Sequence, residues 1–365
     1  MNPKPLNAEP ARRAIQLIDP IADPRWDRFV ENHPFGWVCH LSGWKQVLEQ
    51  SFKHMKGHYF VIVDEKDNIK AGLPVYEVKS WLTGKRLVSI PFGTLCDPLV
   101  SSEDDFKQLF GAARSSLKRF SGTCMEIRTV MASSLLEQTG LGKRSFYKHH
   151  YMALDKRPEE LKKGFHRTCV RQRISRAQKS DLVLTIAARE EDLNQYYRLH
   201  RITRKRTGLP LQPYAFFRNL WNAFHGKGLM DLFLAKKGED FIAGIILFKF
   251  KDRVSAEFAG SDYRYVKISP NHFLFWEAIQ MACEQGYQVF DFGRTSPNNQ
   301  NLMDFKNRWG TAVKDLPQFF DPKDAVLDMA NREETGKYRL MSRICANAPD
   351  RYQPLIGSFC YRHLG

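Results

Sequence analysis

The stretch from Phe290 to Gly310 has the highest density of groups that could do chemistry. A short apolar strand is predicted over residues 288–292, and it breaks at Gly293 into a Pro- and Asn-rich loop before Phe305. Binding and catalytic groups concentrate at such strand ends, because the sheet fixes them while the loop leaves them reachable. The charged residues here are Asp291, Arg294, Asp304, Lys306 and Arg308. A plain turn does not need this density of charge, so we expect a functional site.

Two carboxylates are candidates for a general base. Asp291 follows the last strand turn, where it could accept a proton or hold Arg294 in place. Glu257 lies in an apolar strand predicted over residues 254–260, where burial would raise its pKa toward the range of a general base. Glu257 could equally face solvent on an edge strand. Arg294 is the favoured anion-binding cation, although Arg128 occupies the equivalent place in the first half and leaves a structural role open.

Length and composition indicate a folded protein of two domains or one elaborate domain. The chain has 365 residues, 43% of them hydrophobic, and no window of 18 consecutive apolar residues. The first 16 residues are polar and Pro-rich, so we expect no secretory signal. Seven scattered cysteines without a Cys-x-x-Cys pair indicate reduced thiols. We therefore expect a cytoplasmic protein, with contact at the inner face of the membrane left open.

The positive charge is concentrated in the middle of the chain. The net charge is +16, and residues 143–206 contain 18 Lys and Arg against 7 Asp and Glu. Lys163, Arg167, Arg171 and Arg173 are spaced as on one helix face, with Arg176 beyond them. Such a face attracts polyanions, such as tRNA, a nucleotide diphosphate, an anionic glycan or acidic lipids. A solvated helix that links two domains is the alternative.

An internal repeat organises the chain. A strand–turn–strand pattern at residues 58–79 recurs at 229–251 with an offset of 172, and Met125–Thr129 matches Asp291–Thr295 with an offset of 166. Two copies of one fold are predicted, each with helices before and after its strand pair in a mixed α/β sheet. The predicted parts are a flexible N-terminus (1–14), a first domain (15–160), a basic helical connector (161–180), a second domain that should hold the chemistry (181–320) and a C-terminal helical tail (321–365).

Residues 20–320 resemble the FemAB-related proteins of the GNAT superfamily, most closely the branch encoded with bacterial exopolysaccharide and exosortase systems. The resemblance rests on a helix start at Ser269-Pro-Asn, the segment Asp291–Asn298, and Phe305-Lys-x-x-Trp-Gly. It implies two tandem GNAT-like domains that form a pseudo-dimer. It also implies transfer of an acyl or aminoacyl group to an amine of an amino sugar or a cell-envelope or exopolysaccharide precursor, with acyl-CoA or aminoacyl-tRNA as donor.

The resemblance gives Lys306 a part in transfer, where it could neutralise a phosphate or polarise the reacting carbonyl. The alternative is a loop cation paired with Asp304 or Asp291. GNAT enzymes hold the pyrophosphate of coenzyme A on a glycine-rich loop at a helix start, but the corresponding segment 264–269 has no glycine. The candidate donor- and acceptor-binding residues are Arg294, Asn298, Asn299, Arg308, Trp309, Lys267, Asn271, His272, Arg204 and Arg206.

Several alternatives stay open at this point. Arg204 and Arg206 could simply cap a helix C-terminus, and the C-terminal tail could pack on the domains or rest on a membrane. Expected partners are a small-molecule or lipid-linked glycan acceptor and tRNA, with no DNA and no metal. The sequence has no phosphate-binding P-loop and no Gly-x-Ser-x-Gly elbow. A non-catalytic protein that binds a nucleotide-linked glycan or another polyanion is the alternative function.

Overall fold

The computed structural model describes residues 13–81, 84–117, 123–325 and 336–364. Its strands are β1 (Ala14–Ile18), β2 (Met55–Val63), β3 (Ile69–Ser80), β4 (Gly84–Val88), β5 (Met125–Arg128), β6 (Gly142–Ala153), β7 (Leu182–Ile186), β8 (Met230–Lys237), β9 (Asp240–Phe250), β10 (Arg253–Ser261), β11 (Val289–Thr295) and β12 (Ala312–Asp321). Its α-helices are α1 (Pro24–Asn32), α2 (Ser42–Ser51), α3 (Glu103–Ser116), α4 (Ser133–Leu136), α5 (Pro158–Lys163), α6 (Gln172–Gln178), α7 (Asp192–Thr207), α8 (Tyr214–Phe224), α9 (Pro270–Glu284), α10 (Gln300–Asn307), α11 (Gly336–Asn347) and α12 (Gln353–Tyr361).

One mixed sheet of 12 strands runs through both halves of the chain, in the order β1-β2-β3-β4-β5-β12-β6-β11-β10-β9-β8-β7. Among the strands of the described residues, β4–β5 and β10–β11 are the parallel pairs, and they occupy equivalent places in the two halves. The last strand of each half crosses over: β6 pairs with β11, while β12 pairs with β5 and with β6. The predicted repeat and the mixed α/β sheet are therefore confirmed, and the two copies are joined by exchanged strands.

The core lies on both faces of this sheet. On one face, aromatic residues of the first half (Trp44 and Tyr59) share a cluster with those of the second half (Tyr196, Phe224 and Phe248). On the other face, α3 covers the first half, and α9 with α6 covers the second. Burial of large aromatic side chains between the halves stabilises them as one body, because each removes a large apolar area from water.

Two glycines at equivalent positions of the repeat let a helix approach the sheet. A Cβ on Gly72 would lie 2.5 Å from Cζ3 of Trp26 on α1, and one on Gly244 would lie 3.1 Å from Cδ2 of Tyr196 on α7. We expect Gly72→Ala to lower the free energy of unfolding by about 1–3 kcal/mol, because the rigid indole must move. Gly111→Ala, on α3 with no atom within 4 Å of the added methyl, should instead raise it by about 0.5–1 kcal/mol. Urea unfolding of both variants measures the difference, and equal effects would contradict this packing.

Most predicted elements are confirmed, and two are corrected. The helices predicted before the strand pairs are α2 and α7, and those predicted after them are α3 and α9. The strand predicted to break at Gly293 continues to Thr295, because Gly293 takes a positive φ of 71° at a bulge opposite β6. The basic segment is not one helix: α5 ends at Lys163, and a π-helical turn over Arg167–Arg171 then leads into α6.

Candidate active site

The separation of β10 from β11 creates the site. These parallel strands pair only from Arg253 to Ser255 against Val289 to Asp291, and beyond this point their pairing ends. β10 also bulges between Ala256 and Phe258 on its other side, at Glu257. Bulges of this kind re-aim a side chain beside active sites. The residues that follow the last pair are therefore positioned by strands at a place where the sheet opens.

Lys306 approaches this opening from α10. Its side chain is buried, and its ammonium donates hydrogen bonds to the carbonyl oxygens of Gly293 at 3.1 Å and Arg294 at 3.0 Å. Burial lowers the pKa of Lys306 to about 8, although the charges of Asp291 and Glu257 oppose this shift. Within the described residues Lys306 forms no ion pair with Asp304 or Asp291, so the alternative of a paired loop cation is wrong.

Glu257 is the carboxylate best placed to accept a proton. Its side chain is half-buried, and one carboxylate oxygen accepts a hydrogen bond from Ser255 Oγ at 2.8 Å. Burial raises the pKa of Glu257, and the charge of Asp291 raises it further, while Arg294 and Lys306 lower it. A half-buried carboxylate with a raised pKa beside a lysine has the electrostatic setting of a general base.

Asp291 is held as a buried anion instead. One carboxylate oxygen accepts from His149 Nε2 at 2.8 Å and from Arg253 at 3.0 Å, and the other accepts from the Gly293 N–H at 2.7 Å. Burial alone would raise its pKa, but His149, Arg253 and the Gly293 N–H together lower it. A lowered pKa makes Asp291 a weaker proton acceptor than Glu257. The carboxylate does not bind Arg294, so the proposed Asp291–Arg294 pairing is wrong.

We expect Asp291→Asn to destabilise the protein by about 3–5 kcal/mol, because Arg253 and His149 would lose the partner that compensates their burial. Asp304→Asn is the matched control, since Asp304 is partly exposed and lies 3.6 Å from Arg308. This second substitution should change stability by less than about 1 kcal/mol. Chemical unfolding monitored by circular dichroism compares the two, and a mild effect at Asp291 would argue against a structural anion.

Trp309 and His272 are packing residues, which corrects their prediction as ligand contacts. Trp309 is fully buried between Phe165, at 5.2 Å between ring centroids, and the ring of His272, at 5.8 Å. Burial lowers the pKa of His272 to about 4, with a contribution from Arg173, so this ring is neutral and cannot neutralise a phosphate. The aromatic motif residue therefore fixes the end of α10 and, through it, Lys306.

The other loop residues divide into caps and surface groups. Asn299 caps α10 by accepting from the Leu302 N–H at 3.2 Å, while Asn298 is exposed. Arg308 is exposed and lies beside Asp304. Arg294 places its guanidinium 4.9 Å from the centre of the Tyr147 ring and forms no ion pair within the described ranges.

Arg128, the repeat equivalent of Arg294, behaves differently. Arg128 is tied to Glu126 of its own strand at 2.7 Å. Phe292 stands at the place of that glutamate in the second half, so Arg294 has no such anchor. Both arginines line one pocket at the junction of the halves, together with Tyr147. The absence of an ion pair leaves the charge of Arg294 available to an anionic ligand.

The start of α9 is the place where a donor phosphate would be expected. Ser269 precedes the helix with a positive φ of 60°, and its buried Oγ has no hydrogen-bond partner among the described residues. Pro270 removes one N–H that a phosphate could use. Lys267 is exposed beside it, whereas the Asn271 side chain donates to Ser261 Oγ at 3.2 Å.

The basic segment lies next to this helix start. Arg176 donates to the carbonyl oxygen of Lys267 at 3.4 Å, and Arg173 is close enough to affect the pKa of His272. Lys163 and Arg167 are exposed, and Arg171 and Arg173 are partly exposed. These four cations form no ion pair among the described residues. Arg204 and Arg206 are elsewhere, at the C-terminal end of α7, where Arg204 contacts His200 at 3.3 Å.

Two histidines were missed by the sequence reasoning. His149 and His150 were not among the predicted site residues, yet they are buried, at 2% and 0% exposed. β6 enters the middle of the sheet because of the strand exchange, and it places His149 on Asp291. Burial and then the charge of Lys306 lower the pKa of His150 to about 4, so this ring is neutral beside the site. No local signal reveals this pairing, since the two strands are far apart in sequence.

Comparison with known proteins identifies the domain that carries this site. Residues 164–307 match the family described as "Acetyltransferase (GNAT) domain". The second half is therefore similar to GNAT domains. No curated protein matches the sequence significantly. The fold and the family resemblance predicted from the sequence are thereby confirmed for the half that holds Glu257, Asp291 and Lys306.

Solved structures extend the likeness to both halves. FemX superposes with a TM-score of 0.68 at 17% identity, covering 85% of this chain and 98% of FemX. The L-PGS structure from Bacillus licheniformis gives 0.55 at 14% identity, covering 90% and 98%. A tandem GNAT protein from the clavulanic acid biosynthesis pathway gives 0.53 at 9%, covering 85% and 98%. The chain therefore has a fold of two tandem GNAT-like domains.

Proposed function

We propose that this protein is an N-acyltransferase that moves an acyl or aminoacyl group to the amine of an amino sugar or another cell-envelope or exopolysaccharide precursor. The observation that carries the proposal is the arrangement of Lys306 and Glu257 at the separation of β10 and β11, inside the GNAT domain. Each of these side chains shifts the pKa of the other, so the two charged groups are close enough to act on the same bound substrate.

Lys306 supplies the charge that an acyl transfer needs. A lysine ammonium has three N–H donors, and the carbonyls of Gly293 and Arg294 use two of them. The third is free to bind the oxyanion that forms when an amine attacks a thioester or ester carbonyl. Because the ammonium is already held by two backbone groups, it needs no reorganisation during the reaction.

Glu257 would complete the transfer by accepting a proton from the attacking amine. The C–N bond then forms while the bond from the carbonyl carbon to the donor sulfur or oxygen breaks, and the leaving thiolate or alkoxide takes up a proton, which returns Glu257 to its carboxylate form. Its raised pKa suits this task, since a base works best when its pKa approaches the working pH. In this proposal Asp291 has a positioning role, because it fixes the Gly293 N–H next to the carbonyls that bind Lys306.

The donor is acyl-CoA or aminoacyl-tRNA, and its phosphates would lie between the start of α9 and the basic segment. The support is the unpartnered Ser269 Oγ together with the exposed cations Lys163, Arg167 and Lys267. Side-chain cations would replace the backbone N–H groups that the glycine-free loop cannot offer. Arg294, which forms no ion pair within the part of the chain that the structure describes, is proposed to bind an anionic group of the acceptor, and Arg204 and Arg206 remain proposed acceptor contacts.

The acceptor is proposed to be a small or lipid-linked glycan, handled in the cytoplasm at the inner face of the membrane. The support for a reducing compartment is that the seven cysteines are scattered along the sequence and form no Cys-x-x-Cys pair. No helix in the described part of the chain is long and apolar enough to cross a bilayer.

A polyanion-binding protein without activity is the second candidate, and the unpaired cations of the basic segment favour it. Two substitutions distinguish an acyltransferase from a polyanion-binding protein. An enzyme should depend on Lys306, whereas a binding protein should lose affinity on Arg171→Glu and be indifferent to the loss of Lys306.

A thermal-shift titration tests the donor. Acetyl-CoA, longer acyl-CoAs and aminoacylated tRNA are added at low and at moderate salt, since a ligand that binds the native state raises the melting temperature with concentration. We expect one donor class to stabilise the protein and Arg167→Glu to reduce the shift severalfold. Lys66→Glu, an equal charge change on the β2–β3 turn, should leave the shift unchanged. Stabilisation by tRNA alone that disappears at moderate salt would favour the polyanion-binding protein.

A further inference from the structure

The C-terminal helices expose an unusual amount of apolar surface. Leu355 and Phe359 stand one turn apart on α12 and are 67% and 49% exposed, and Trp81 beside them is 80% exposed. The Trp81 and Phe359 rings touch edge to face, with 6.3 Å between their centroids. On α11, which packs against α12, Leu340 and Ile344 are exposed in the same i, i+4 spacing. We call these five residues the C-terminal apolar face.

This face belongs to a fixed part of the protein. Tyr361 stacks on Phe52 at 5.9 Å, and His363 Nδ1 lies 2.8 Å from Ser80 Oγ. A Cβ on Gly357 would lie 2.0 Å from the Leu211 carbonyl oxygen, so α12 rests directly on the backbone before α8. The apolar side chains are therefore presented on a rigid support, with their opposite sides anchored in the core.

The charged residues that the structure describes beside this face are mainly arginines. Exposed Arg351 lies in the turn before α12 and exposed Arg362 directly follows the helix, while exposed Arg339 and Arg343 are next to Leu340 and Ile344 on α11. Among residues 336–364 the acidic residue is Asp350, which is paired with Lys205 at 2.6 Å.

We propose that the C-terminal apolar face docks this protein on the surface of an anionic lipid bilayer. Tryptophan, phenylalanine and leucine surrounded by arginines are the composition of interfacial membrane anchors, in which the apolar groups enter the headgroup region and the cations bind anionic lipids. A second copy of the chain fits less well, because two identical cationic rims would repel each other. The proposal does not depend on the chemistry assigned to Lys306.

Flotation of the full chain with lipid vesicles tests the proposal. Vesicles of phosphatidylcholine alone are compared with vesicles that also contain phosphatidylglycerol, at low and high ionic strength. We expect binding to the anionic vesicles only. Leu355→Glu should weaken it by about tenfold or more through lost apolar burial. Arg362→Glu should weaken it by about fivefold or more at low salt, with a smaller effect at high salt.

Val183→Glu is the matched control, since Val183 is 59% exposed on β7 at the far edge of the sheet. It should bind vesicles as the unmodified protein does. The proposal is overturned if the protein ignores anionic vesicles, or if Leu355→Glu binds them as well as the unmodified chain. It is also overturned if light scattering shows a dimer that Leu355→Glu converts to a monomer, because a second copy would then cover this face.

Discussion

A Lys306→Met variant is expected to retain its fold and lose about a hundred- to a thousandfold in kcat, the usual effect of removing one oxyanion donor. Methionine fills nearly the same volume, so the slot between α10 and β11 stays packed. The carbonyls of Gly293 and Arg294 would lose a donor, which costs about 1–3 kcal/mol for each buried group. Part of this cost is offset, because burial of the Lys306 ammonium is itself unfavourable, as its lowered pKa indicates. The variant avoids this desolvation cost.

Steady-state kinetics with unfolding curves separates the two effects. Arg308→Met is the matched control, because it removes a cation from the end of α10 that is exposed and only lies near Asp304. We expect its kcat to stay within about twofold of the unmodified protein, as for a weak surface ion pair. An equal loss in both variants would mean that Lys306 has no special role.

The same assignment predicts a pH dependence. Lys306 must be protonated to donate to an oxyanion, and burial puts its pKa at about 8. The rate constant kcat should therefore fall as the pH rises through about 8. A profile that stays flat well beyond this pH would show that the ammonium is not required.

Glu257→Gln is expected to lower kcat by about a hundredfold or more, in the range for loss of a positioned general base. The amide keeps the shape of the carboxylate and can still accept from Ser255 Oγ, so the local structure should persist. In the unmodified protein kcat should rise with pH through the raised pKa of Glu257, and the variant should lack this limb.

Glu277→Gln gives the control for this experiment. Burial also raises the pKa of Glu277, but this residue lies on α9 outside the site. Glu277→Gln should leave kcat unchanged, and kcat should still rise with pH as it does in the unmodified protein. If Glu257→Gln retains the rate and the pH profile of the unmodified protein, a group other than Glu257 must accept the proton of the attacking amine.

Local patterns were sufficient to predict the elements that position the site. Pro270 after Ser269 marks the start of α9, because proline suits the first turn of a helix and ends what precedes it. The repeated Ala-Gly strands and the repeated Arg-Thr ends predicted two copies of one fold. These signals involve neighbouring or regularly spaced residues, so a single sequence is enough to detect them.

Long-range pairing could not be predicted in the same way. The strand exchange brings β6 against β11 and buries His149 against Asp291. No sequence pattern near either residue indicates that these two strands pair. Trp309 was misassigned for a related reason. Its motif position lies next to Lys306, but only the packing of Phe165 and His272 on it shows that it faces the core.

Product formation tests the central claim most directly. The donor that stabilises the protein in the thermal-shift titration is incubated with a panel of amines, including a nucleotide-linked amino sugar, and products are identified by mass spectrometry. We predict an acceptor heavier by the acyl group with the unmodified protein and with Arg308→Met, and almost none with Lys306→Met. Transfer by Lys306→Met at the unmodified rate, or no transfer by the unmodified protein from a donor that it binds, would contradict the account.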